Sequence, residues 1–158
     1  MKTKLLNLLI LLSAVVFMTS FINADEFGAC NPDKLYATND YLYKDRYFKA
    51  FEKVQDNPKY AGGKDSIQAY FERALHFSGN ETELVVRYHV TFLVNCKGET
   101  GLFELKSKEF PGYEKILNAC KSMVKWTPAT FNKQAVDCYF RLGFTNQVGK
   151  IKVDYRED

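Results

Sequence analysis

The stretch Leu84-Val85-Val86-Arg87-Tyr88-His89-Val90-Thr91-Phe92-Leu93-Val94-Asn95 decides how the rest of the chain is read. Val86, Tyr88, Val90, Phe92 and Val94 share one parity; Arg87, His89, Thr91 and Asn95 share the other. A period of two puts those sets on opposite faces of an extended strand, one buried and one solvated. Asn95-Cys96-Lys97-Gly98 then has the residue types of a tight turn. Residues 101–107 alternate again, Phe103 and Leu105 against Glu104 and Lys106, so the two runs predict an antiparallel hairpin.

Working outward, Ile67, Tyr70, Phe71, Ala74 and Leu75 fall at helical spacing, which predicts a helix over 64–77 behind the turn Gly62-Gly63. Tyr113, Ile116, Leu117, Cys120, Met123 and Val124 form a second apolar stripe and predict a helix over 111–124, closed by Thr127-Pro128. In residues 136–145, Val136, Cys138, Phe140, Leu142 and Phe144 alternate with Asp137, Tyr139, Arg141, Gly143 and Thr145, a further strand. Ile151, Val153 and Tyr155 repeat the period in the tail, a possible fourth strand able to fold back on 136–145. The expected fold class is α+β: an antiparallel three- to four-stranded sheet with two helices packed on one face. Residues 25–55 have no firm periodicity and read as a lead-in arm to a domain spanning 56–158, with a short helix or extended arm around Tyr47-Phe48.

The chain has 158 residues, 46% apolar and 26% charged, which suits one globular domain. Its net charge is +3; without residues 1–24, which hold Lys2, Lys4 and no acid, 20 basic residues face 19 acidic ones. A charge-driven nucleic-acid binder needs a concentrated basic surface, so nucleic acid is not an expected partner. Residues 1–4 are basic, 5–21 are almost continuously apolar, and Ile22-Asn23-Ala24 precedes Asp25-Glu26. That order is a secretory signal peptide with cleavage after Ala24. The competing readings are a retained membrane anchor, since about 17 apolar residues lie at the lower limit for a span, and a lipoprotein box at Phe27-Gly28-Ala29-Cys30. Export to an oxidising compartment makes Cys30, Cys96, Cys120 and Cys138 disulfide candidates, with three pairings open. Their spacing, and that of His76 and His89, fits no zinc motif, so no metal is expected. Asn80-Glu81-Thr82 matches a glycosylation sequon and carries little weight.

Several of these residues together resemble the C-terminal domain of the TonB family. Pro58-Lys59-Tyr60-Ala61-Gly62-Gly63 stands where the family has a Pro-aromatic-Gly-Gly stretch before its first helix. Gly98 sits in the polar turn after the first strand, and Trp126-Thr127-Pro128 matches a Trp-x-Pro closing the second helix. Asn132-Lys133-Gln134 then leads to a strand opening on Val136, and the match covers about residues 51–146. Trp126 reads on physical grounds as a lid over the helix–sheet core. The family fold pairs its last strand antiparallel with its first, which implies Cys96–Cys138 together with Cys30–Cys120; Cys120 facing Cys138 is also open.

The resemblance implies capture of an extended segment of an envelope protein, such as an outer-membrane transporter, by strand addition to the edge of the strand at 136–145. Tyr139, Arg141 and Thr145 are the expected contacts. The chain departs from energy-transducing members in having only Pro32, Pro58, Pro111 and Pro128, hence no stiff spacer, and no His in its apolar run. The expectation is therefore an exported, non-catalytic binding or accessory domain, periplasmic or secreted, without cofactor. A membrane-anchored energy transducer for outer-membrane transport and a secreted cystatin-like protease inhibitor are the alternatives. No enzyme is expected: His89 lies on the polar face of a strand, His76 ends a helix, and no phosphate loop or nucleophile elbow is present.

Overall fold

The computed structural model describes residues 27–38, 51–78, 85–105, 112–124 and 126–155. The expected leader at 1–24, the arm around Tyr47-Phe48 and the sequon at Asn80 lie outside them. The elements in order are β1 (Tyr36–Ala37), β2 (Glu52–Lys53), α1 (Gly63–Ala74), β3 (Val86–Val94) and β4 (Thr100–Leu105), then α2 (Tyr113–Lys121), β5 (Ala129–Phe131), β6 (Gln134–Val136), β7 (Cys138–Gln147) and β8 (Lys150–Asp154). Among the described residues no helix is long and apolar enough to cross a membrane.

The alternating stretch forms β3, antiparallel to both β4 and β7. Its register on β7 is continuous from Val86↔Asn146 to Val94↔Cys138, so like parity meets like: Tyr88 opposes Phe144, Val90 opposes Leu142 and Phe92 opposes Phe140. These side chains share one buried cluster with Ile67 and Phe71 of α1 and Ile116, Ala119 and Cys120 of α2. The Tyr70 hydroxyl ties the helices together by donating to the Ala119 carbonyl at 2.7 Å. Burying large apolar and aromatic side chains of this kind contributes about 1.5–3 kcal/mol each before entropy is counted.

The α+β class holds, but the sheet corrects the expectation of three or four antiparallel strands. It is six-stranded and mixed, in the order β2-β1-β7-β3-β4 with β8 also on β7, and β5–β6 form a separate pair. The added strands come from the segment read as a loose arm: β1 runs parallel to both β2 and β7. Two-residue strands are too short to carry a period, so the sequence gives no sign of them. The strand expected from Val136 is broken at Asp137, where β6 ends and β7 begins. Helix α1 stops at Ala74, with Leu75 already extended, and Val124, placed on the apolar stripe of the second helix, lies beyond α2 and is 53% exposed.

The second face of β3 is not uniformly solvated. Thr91, Leu93 and Asn95 are buried there. The segment at 27–31 crosses this end: the Phe27 ring lies over Gly101, where an added Cβ would fall 2.1 Å from it. The Asn95 amide donates to the Gly28 carbonyl at 3.0 Å and to Glu99 at 2.8 Å, while its oxygen accepts the Lys97 and Glu99 N–H groups. Phe51 packs on Tyr139 with ring centres 5.4 Å apart. Among the described residues one end of the outer face is therefore covered, while Arg87 and His89 toward the other are exposed.

The three motifs that carry the family resemblance converge in space. Lys59 and Thr127 exchange backbone hydrogen bonds at 3.0 and 2.9 Å, and the Trp126 N–H donates to the Gly98 carbonyl at 2.8 Å. Gly62 and Gly63 both take positive φ, 81° and 67°, turning the chain from Tyr60 into α1. Tyr60, Phe92, Phe140 and Tyr155 surround the Trp126 ring at 5.1–6.0 Å. Trp126 is 2% exposed, a core side chain rather than a stacking platform, and its indole N–H has no hydrogen-bond partner among the described residues. The tail closes the same cage, since the Tyr155 hydroxyl accepts the Tyr60 N–H at 2.9 Å.

Candidate functional site

Strand addition to β7 requires an open edge, and β7 is an interior strand. One side is taken by β3 along its length. On the other side β1 pairs with Cys138 and Tyr139, and β8 pairs with 143–147. Tyr139 thus sits between Leu93 and Ala37, and Thr145 between Arg87 and Lys152. Among the described residues neither β1 nor β8 reaches 140–142, and Arg141 lies in that interval opposite Thr91. The expected edge is corrected on this point: the tail folds back as β8 and the arm supplies β1, so little of β7 is left for an added strand. The outer edge of β8 is filled in turn by Gln68 of α1, whose amide donates to the Ile151 carbonyl and accepts the Val153 N–H, both at 2.8 Å.

The interval between β1 and β8 opens instead into a concavity of about 510 Å³ along β7. Arg141 and Thr145, two of the three expected contacts, line it; Tyr139 does not, its ring being packed under Phe51. Burial, and secondarily the Glu104 carboxylate, push the Tyr139 phenol up. Around the concavity stand Lys64 from the first turn of α1, Arg87 and His89 from the outer face of β3, and Lys152 and Asp154 from β8. Among the described residues four permanent cations there face one carboxylate. Gly143 forms the middle of its floor. A Cβ at that position would stand 3.0 Å from Asp154 Cβ and 3.3 Å from His89 Nδ1, so the missing side chain lets those residues close in from the flanking strands.

The strand parity of Arg87 and His89 places them on the outer face, yet from the sequence alone they read as a solvated surface. What sets them apart is the company of Arg141 and Lys152 across two strand pairings, which only the register of β3, β7 and β8 creates. His76 plays no part: α1 ends before it, and its carbonyl accepts the Lys115 ammonium at 3.1 Å.

The cysteines are arranged differently from the family-implied pairing. Cys30 is joined to Cys96, 66 positions apart, while Cys120 and Cys138 are free thiols and buried. Cys96–Cys138 and Cys30–Cys120 are both overturned, because Cys138 belongs to a small cluster with Tyr36, Val54 and Ala129 and Cys120 to the main core. Burial pushes both thiols well above the ordinary range. Beside the disulfide, the buried Asp137 carboxylate accepts the Asn31 N–H at 2.6 Å and the Cys96 N–H at 2.8 Å. Cys30, Cys96 and Asp137 place potential metal-ligand atoms within 4.8 Å of one another. The sulfurs are bonded to each other and the carboxylate is engaged by both flanking backbones, so the group acts as a structural clasp.

In comparisons with family models, with curated proteins and with solved structures, nothing matches this chain.

Proposed function

We propose that the protein is an exported, non-catalytic binding module of the cell envelope, of the TonB C-terminal type, that grips a segment of a partner protein on the outer face of β7. The observation that carries this reading is the concavity of about 510 Å³ built on Arg141 and Thr145, with its excess of cations. Its volume lies within the range of ligand-binding clefts. The meeting of Pro58–Gly63, Gly98 and Trp126 around one aromatic cage supports the family type. The disulfide clasp supports export, since such bonds persist in oxidising compartments. Because β1 and β8 take the edge of β7, contact runs over its face rather than along an added ladder.

The test is a photocrosslinking residue placed at Thr145 and, as a control, at the exposed Glu114 of α2, in the full chain expressed in its own cells. One discrete adduct with an envelope protein from Thr145 alone is expected, together with a mature chain starting at Asp25 by mass spectrometry. Adducts of equal yield from both positions, or none, would overturn the assignment.

A further inference from the structure

The spacing of charges in the concavity defines what it recognises. Resting on the reading above, we infer that it accepts an extended acidic segment of a partner with carboxylates at positions i and i+4 and a small residue midway between them.

Successive outward positions of β7 are Arg141, Gly143 and Thr145. Arg141 supplies a cation at one end. At the other, Thr145 is paired on one side with Arg87 and on the other with Lys152, so two cations flank a hydroxyl-bearing residue. Four residues of strand separate the ends by about 13 Å at ~3.3 Å each. A single carboxylate or phosphate is too small to bridge that span. An extended peptide lying along β7 presents its i and i+4 side chains on one face at about the same separation.

The middle of the floor differs from its ends. There His89 and Asp154 converge over Gly143, and a Cβ would already meet Asp154 at 3.0 Å. An acidic side chain at i+2 would confront the Asp154 carboxylate, whereas Ser, Ala or Gly fits without repulsion. The exposed ammonium of Lys64 extends the basic rim from α1.

Single-stranded nucleic acid also carries regularly spaced anions, but it is gripped through aromatic platforms on which bases stack. Among the described residues the aromatic ones lining the concavity, Phe140 and Phe144, are 1% and 2% exposed and face the core. The pattern therefore favours carboxylates on a peptide.

The experiment measures fluorescence anisotropy of the full chain with labelled, end-capped ten-residue Thr-rich peptides. One carries Asp at i and i+4 with Ser at i+2; its isomer carries the two Asp residues adjacent, and a third carries Asn in their place. Oligothymidylate and inorganic phosphate serve as competitors. The spaced-acid peptide is expected to bind about three- to fivefold tighter than its isomer, as an aligned charge pair contributes. R141Q and the double variant R87Q/K152Q should each lose about that factor, R141K should keep most of it, and K121Q on α2 should change nothing. Equal binding of the isomers, tighter binding of phosphate or oligothymidylate, or full affinity in an R141Q chain with native circular dichroism would overturn the inference. A Thr145 crosslink without discrimination among the peptides sinks this inference and leaves the binding module standing. Discrimination without a crosslink does the reverse.

Discussion

Gln68 Oε1 accepts the Val153 N–H at 2.8 Å, so a side chain of α1 takes the place of a neighbouring strand on β8. Its amide nitrogen completes the imitation by donating to the Ile151 carbonyl two residues away. Helix and sheet are thereby joined by hydrogen bonds as well as by apolar packing, and the edge of the last strand is blunted against association. Substituting Q68A should cost about 1–3 kcal/mol, since it leaves a backbone donor and acceptor without these partners. Chemical denaturation measures the loss, and light scattering should show concentration-dependent association through the opened edge. A variant with unchanged midpoint that stays monomeric would mean that water replaces the amide at no cost.

The clasp at the other end of the sheet combines a covalent bond with a buried carboxylate. Closing a loop of 66 positions stabilises by about 4 kcal/mol on the chain-entropy account. Asp137 holds the backbones next to both sulfurs, so D137A should cost about 2–4 kcal/mol by stranding two N–H groups. We expect the thiol-reduced protein and D137A each to melt lower, and their combination to fall short of the sum because both act on the same junction. Strict additivity in a thermal double-mutant cycle would separate the two devices.

Covering of the outer face depends on the absence of a side chain at Gly101. A methyl group there would fall 2.1 Å from the Phe27 ring, and the opposing ring cannot share that space. G101A should displace the segment around Phe27 and cost about 1–2 kcal/mol, as expected when a half-buried aromatic loses its contact. Phe27→Ala should cost a similar amount, and adding it to G101A should cost little more. Amide exchange in 27–31 is the direct readout, with unchanged protection in G101A as the contrary result.

Alkaline pH should destabilise the fold. Burial raises the ionisation of Cys120 and Cys138, and that of Tyr88, Tyr60 and Tyr70, above their ordinary values. The unfolded chain releases these protons first, so the stabilisation is complete below about pH 8.5, where a free thiol ionises, and is lost as pH rises beyond it. Denaturant midpoints should be level to about pH 8 and fall from 9 to 11, less steeply in C120A/C138A. At pH 8 both thiols should resist alkylation until denaturant is added.

The elements legible in the sequence are those whose pattern repeats. β3 and β7, nine and ten residues long, alternate over most of their length, and α1 and α2 carry apolar stripes over two turns or more, so period identifies them. The hairpin turn at Gly98, the Gly62-Gly63 entry to α1 and the burial of Trp126 follow from local chemistry in the same way. β1 and β2 have two residues each and no period to read. Asp137, on the polar parity of its run, is 1% exposed, its carboxylate accepting the Asn31 and Cys96 N–H groups.

Taken by itself, the amino-acid order determined the α+β class, the inward faces of the long strands and the presence of four thiols in an even set. Hydrophobic period and turn chemistry act between near neighbours, and near neighbours are what a sequence displays. Tertiary structure decided which cysteines meet, which edge of β7 is closed, and that Lys64, Arg87, Arg141 and Lys152 share one hollow. Those relations join residues up to about ninety positions apart, and their physical cause is strand register together with the docking of a distant segment, neither of which any local stretch encodes.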